Sequence, residues 1–97
     1  MKVLLQRRAE IALHSLGKLE QSRIKHAIDE FSSTDRTLLQ GSSRLRKLAG
    51  SIDEELFVYN GSPNIRLILS FVNDVCTIED IVNHRLLERH SVELAQG

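Results

Sequence analysis

Hydrophobic and polar positions change their period along this chain, and the changes divide it into elements. Val3 to Gln6 reads as a short strand. From Arg7 to Leu16 the apolar residues Ala9, Ala12, Leu13 and Leu16 recur at i, i+3, i+4 and i+7, which predicts an amphipathic helix ended by Gly17. After Lys18, residues Ile24, Ala27, Ile28 and Phe31 repeat the spacing, with Glu20, Arg23, Lys25, Asp29 and Glu30 on other faces, so a second helix follows and the two make a hairpin. Ser32-Ser33-Thr34-Asp35 stops it. The stretch up to Ser43 is polar apart from Leu38-Leu39 and reads as a surface connection with room for one helical turn.

Strand signals take over from there. Arg44-Leu45-Arg46-Lys47-Leu48 is a short basic strand ended by Gly50. An acidic turn, Asp53-Glu54-Glu55, leads to a strand at Leu56-Phe57-Val58-Tyr59, and Asn60-Gly61-Ser62-Pro63 turns the chain again. Residues 65–84 form one long hairpin about Asn73-Asp74, residue types that tolerate the left-handed backbone of a two-residue turn. Val72 opposite Val75 pairs Phe71 with Cys76, Leu69 with Ile78, Leu67 with Asp80 and Ile65 with Val82 on one apolar face. Asp80 is the misfit, because an unpaired carboxylate facing a core is costly; a bulge near Glu79-Asp80 would turn it outward and bring His84 onto the face of Arg66, Ile68 and Ser70. The order implies an α+β domain: an N-terminal strand and a two-helix hairpin packed on a four-stranded antiparallel meander.

Composition narrows the partners. The 97 residues make one domain, with residues 91–97 expected as a loose end, and 41% apolar with 27% charged residues argues against disorder. Thirteen basic residues balance thirteen acidic ones, so any attraction to nucleic acid must come from a local basic site. The single cysteine, Cys76, cannot form an internal disulfide and fits a reducing cytoplasm. No signal-peptide core or membrane-length apolar run is present, and no membrane partner is expected. The four histidines lack an i, i+4 pair and no glycine-rich phosphate loop occurs, so metal and nucleotide-loop chemistry are set aside. His14 and His26 read as helix-surface residues.

Three stretches carry a family likeness: Lys47-Leu48-Ala49-Gly50, then Asn64-Ile65-Arg66-Leu67-Ile68-Leu69, then Ile81-Val82-Asn83-His84-Arg85. In this order the chain resembles the RelE/ParE superfamily of bacterial type II toxins, with a K-L-x-G strand, an arginine-bearing strand and a closing G-H-R segment. The resemblance implies a cognate antitoxin protein as partner and no cofactor or metal. In the ribonuclease branch it further implies cleavage of mRNA in the ribosomal decoding site, by attack of a ribose 2′-hydroxyl on the adjacent phosphate. Arg66 then matches the arginine that neutralises the transition state, Lys47 the basic residue of the second strand, and His84 and Arg85 the closing pair. Asn83 stands where that pair is preceded by glycine, and Arg89 or His90 stands where an aromatic often stacks a base.

The residue types suit the chemistry. Charge builds on non-bridging oxygens during the displacement, and a fixed planar guanidinium stabilises it more than the ground state. His84 and His90 are the groups near this face suited to proton transfer. Arg44, Arg46 and Arg89 would add charge along the strand of RNA, although basic residues on an edge strand also serve simply to discourage aggregation. Arg66 has a structural alternative too, a cross-strand pair with Glu79. The function classes left open are a ribosome-dependent endoribonuclease, a ParE-like inhibitor of DNA gyrase, and an inactive binding module of the same fold.

Overall fold

The computed structural model describes residues 1–48 and 55–84. The elements are β1 (Lys2–Leu5), α1 (Arg7–Ser15), α2 (Lys18–Ser32), α3 (Arg36–Gln40), β2 (Leu45–Lys47), β3 (Phe57–Asn60), β4 (Ile65–Val72) and β5 (Val75–Asn83). Together the strands form a five-stranded sheet in the order β1-β5-β4-β3-β2. β2 to β5 are the expected antiparallel meander, and β1 lies parallel to β5 at one edge.

The long hairpin organises the sheet. Asn73 takes φ 54, the left-handed backbone that its turn requires, and Val72 pairs with Val75. Phe71 pairs with Cys76 and Leu69 with Ile78, as the alternation requires. Then the register shifts: Ile68 pairs with Asp80, so Glu79 is the extra residue of a bulge. Straight pairing is therefore corrected at the open end, where Leu67 meets Ile81 and Ile65 meets Asn83. The shift relieves the misfit, since Ile81 takes the core position and the Asp80 carboxylate accepts the Ile81 N–H at 2.8 Å. Glu79 accepts a hydrogen bond from the Ser70 hydroxyl at 2.8 Å, and no contact with Arg66 accompanies it.

Helices α1 and α2 cover one face of the sheet. Ala9, Leu13, Ile24, Ala27 and Phe31 form a single buried cluster with Ile65, Leu67, Leu69, Cys76, Ile78 and Ile81. Phe31 meets the Tyr59 ring edge to face with centroids 4.8 Å apart. The connection expected to hold one helical turn contains the short helix α3. Asp35 caps it by accepting the Leu38 N–H at 2.8 Å, and Leu39 turns into the core while Leu38 stays exposed. The face away from the helices is less open than its polar residues suggest, because Val58 and Ile68 there are buried.

Candidate functional site at the β3–β4 turn

The turn between β3 and β4 is held against α2. Gly61 belongs there because a side chain would not fit: a Cβ would come within 2.7 Å of the Ile24 Cδ1. Ser62 fastens the turn from three sides. Its hydroxyl donates to a Glu20 carboxylate oxygen at 2.6 Å and accepts the Asn64 and Ile65 N–H groups. Glu20 in turn holds Arg23 at 3.2 Å.

Arg66 leaves β4 beside this turn and is 91% buried, its exposure being 9%. Its Nη1 donates to the Ser62 carbonyl at 2.7 Å and to the Ile65 carbonyl at 3.2 Å. Among the described residues Nε is buried without an acceptor and no carboxylate pairs with the guanidinium. Burying an uncompensated cation opposes folding, so such an arrangement persists where the surrounding structure or a ligand offsets it. Arg66, Arg44, Arg23, Asn60 and Ser62 line one cavity of about 360 Å³. Arg44 reaches it because its carbonyl accepts the Asn60 N–H at 3.0 Å, and Asn60 is the β3 partner of Arg66.

With this geometry the chain is similar to a solved structure. A chain of the archaeal RelE-RelB complex from Pyrococcus horikoshii OT3 shares the topology with a TM-score of 0.65 and 21% sequence identity, over 84% of this chain and 92% of that one. The fold is RelE-like. No protein-family model and no curated protein matches the sequence.

Within this RelE-like fold the expected site residues separate. Arg44 and Arg66 come together. His84 lies on the strand register next to them: its N–H donates to the Asn64 carbonyl at 2.7 Å, and it is the diagonal neighbour of Arg66, whose direct partner is Val82. Arg46 pairs with Val58 and so shares the face of Arg66, one row further along. Lys47 does not join them. It pairs with Phe57, whose own partner is Leu69, which puts Lys47 on the helix-bearing side, where its ammonium sits 3.5 Å from Glu55. Strand alternation is the reason, since neighbours on a strand take opposite faces. Arg85, Arg89 and His90 lie outside the described residues.

Arg23 is the residue that the sequence pattern left unnoticed. Its neighbour Ile24 belongs to the core stripe, and only the close approach of Gly61 to Ile24 shows which helix turn borders the cavity. Cys76 is no competing nucleophile, because burial pushes its thiol up to about 12 and keeps it protonated. Among the described residues no group of three or more potential ligands could hold a metal ion, and no helix is long and apolar enough to cross a membrane.

Proposed function

We propose that this chain is the toxin of a type II toxin–antitoxin pair and that it cleaves mRNA on the ribosome by metal-independent 2′-hydroxyl attack. The observation that carries the reading is the buried Arg66 guanidinium, in a RelE-like fold, with Nε unsatisfied and no counter-ion among the described residues. A phosphate oxygen that gains charge in the displacement meets a cation already fixed by the Ser62 and Ile65 carbonyls, so little reorganisation is needed as the charge appears. His84 stands nearest on the register for proton transfer, and Arg85, Arg89 and His90 follow it in the chain. Arg44 and Arg46 supply charge for the RNA strand from the same side. Lys47, on the other side, is left out of the machinery.

An antitoxin is the expected partner. The solved neighbour is a RelE-RelB complex. In this chain β1 is an edge strand among the described residues, with Leu4 45% exposed on the face away from the helices and Ile11 of α1 58% exposed on the other, which gives a partner a strand edge with an apolar side chain on either side of it.

The test expresses the chain with and without any small open reading frame found beside its gene, then maps mRNA 5′ ends by primer extension in a translation reaction. Growth arrest relieved by co-expression, with new ends inside codons on translated mRNA only, is the expected result. Intact mRNA together with blocked supercoiling by DNA gyrase would replace the ribonuclease by the gyrase inhibitor. A chain that is harmless and captures no partner would leave only the binding module.

A further inference from the structure

The cavity at the β3–β4 turn holds more positive charge than one transition-state arginine accounts for. Arg23, Arg44 and Arg66 come to it from a helix, a loop and a strand. Among the described residues Glu20 is the one carboxylate tied to this group, at 3.2 Å from Arg23. Arg44 has no ion pair among the described residues, and Arg66 has none either. Among the described residues, three guanidiniums offset by one carboxylate leave a local charge near +2, on a chain whose formal net charge is zero. Like charges gathered in one concavity repel one another, and an anion seated among them removes the cost.

From this we infer that the cavity is an oxyanion subsite, formed by Arg23 and Arg44 beside Arg66, that grips a backbone phosphate of single-stranded RNA next to the phosphate on which Arg66 acts. The inference rests on the RNA-directed reading of Arg66 and adds a binding role to it. Planar guanidiniums suit the paired oxygens of a phosphodiester, and Asn60 adds a neutral polar edge. The rigid floor comes from Ser62, which ties the turn to Glu20 and so fixes Arg23 relative to Arg66. Arg23 and Arg44 are themselves exposed, and they meet the strand from the solvent side. Their contribution is made equally in the ground state and the transition state, so it governs KM rather than kcat.

The experiment measures binding of a 5′-labelled, 2′-O-methylated oligoribonucleotide, which cannot be cleaved, by fluorescence anisotropy across a salt series. Wild type, Arg23→Gln, Arg44→Gln and Lys25→Gln are compared, with melting curves to confirm that each is folded. Arg44→Gln and Arg23→Gln should each weaken binding about tenfold at low salt and reduce the slope of log K against log salt by about 0.7 for each phosphate no longer neutralised. Lys25→Gln, on the exposed surface of α2, should leave the slope unchanged. Glu20→Gln keeps an acceptor for Ser62 while removing the negative charge, and should tighten binding.

No binding by wild type, or equal slopes for all the variants, overturns the inference. Inorganic phosphate titrated alone supplies the other arm: if it binds at Arg44 while the oligonucleotide slope ignores Arg44, the pocket serves a small oxyanion and the RNA assignment is wrong. The two proposals fail separately. RNA gripped through Arg23 and Arg44 by a chain that leaves translated mRNA intact ends the toxin reading and keeps the subsite, whereas cleavage with an unaltered KM in both variants does the reverse.

Discussion

The two faces of strand β4 differ in what they do with burial. Leu67 and Leu69 on one face are fully buried against the helices. Alternating with them in sequence, on the opposite face, Arg66 is 91% buried and Ile68 92%, their exposures being 9% and 8%, yet neither joins the helix-covered cluster. The first face gains stability from burial in the ordinary way. The second spends it, holding a guanidinium against two carbonyls with Nε unsatisfied. Adjacent positions on one strand therefore carry folding and function separately, and a change on one side should leave the other side's readout intact.

The largest expected effect lies on the folding face. Leu69→Ala should lower stability by about 2–5 kcal/mol, as core truncations do. Chemical denaturation measures it, and an unchanged midpoint would place Leu69 outside the core. Next is the seam between the faces, where Gly61→Ala drives a methyl group toward the fully buried Ile24. Overpacking of this kind costs about 1–3 kcal/mol. Because Ser62 follows in the chain, the same change should also displace the carbonyl that holds Arg66, so catalysis should fall further than stability predicts. Proportional losses would mean that the two faces are not coupled at the turn.

Asp35→Ala removes the cap of α3, a helix that contributes Leu39 to the core and does not line the Arg66 cavity. It should cost about 0.5–2 kcal/mol in thermal melting and leave cleavage untouched. At neutral pH Cys76 gives the smallest effect. Its thiol is raised from 9.0 to about 12 by burial, so it stays neutral in the folded chain while the unfolded chain ionises. Unfolding then releases a proton, and stability should decline as pH rises from about 9 toward 12. At neutral pH the native thiol should resist alkylation, and rapid labelling of folded protein would contradict its placement.

Much of the helix-covered face was legible in the sequence, because it is written in periods. The stripes through Ala9, Leu13, Ile24, Ala27 and Phe31 and the alternation from Ile65 to Ile78 are local patterns, and each found its partner in one core. Even the bulge at Glu79 could be anticipated, from the cost of an inward Asp80. Leu39 was less visible, since a five-residue helix is too short to display a period. The cavity was readable only in part. Arg44 and Arg66 belong to strands whose pairing can be inferred, but Arg23 reaches the site through the approach of α2 to a turn more than thirty residues away, which no local pattern encodes. Lys47 was misplaced because a motif fixes which residue type is present and not which face an edge strand presents.

The central claim is that Arg66 is held without a counter-ion among the described residues in order to meet a phosphate, and Arg66→Ala in a ribosome-programmed cleavage assay addresses it most directly when paired with thermal melting. Loss of one preorganised donor should slow cleavage on the order of 10²–10³-fold. Melting should hold or rise slightly, because the substitution also removes a buried cation that no carboxylate among the described residues offsets. Arg66→Ala that melts and cleaves like wild type would contradict the account, and one that unfolds would make Arg66 a strut of the β3–β4 turn instead.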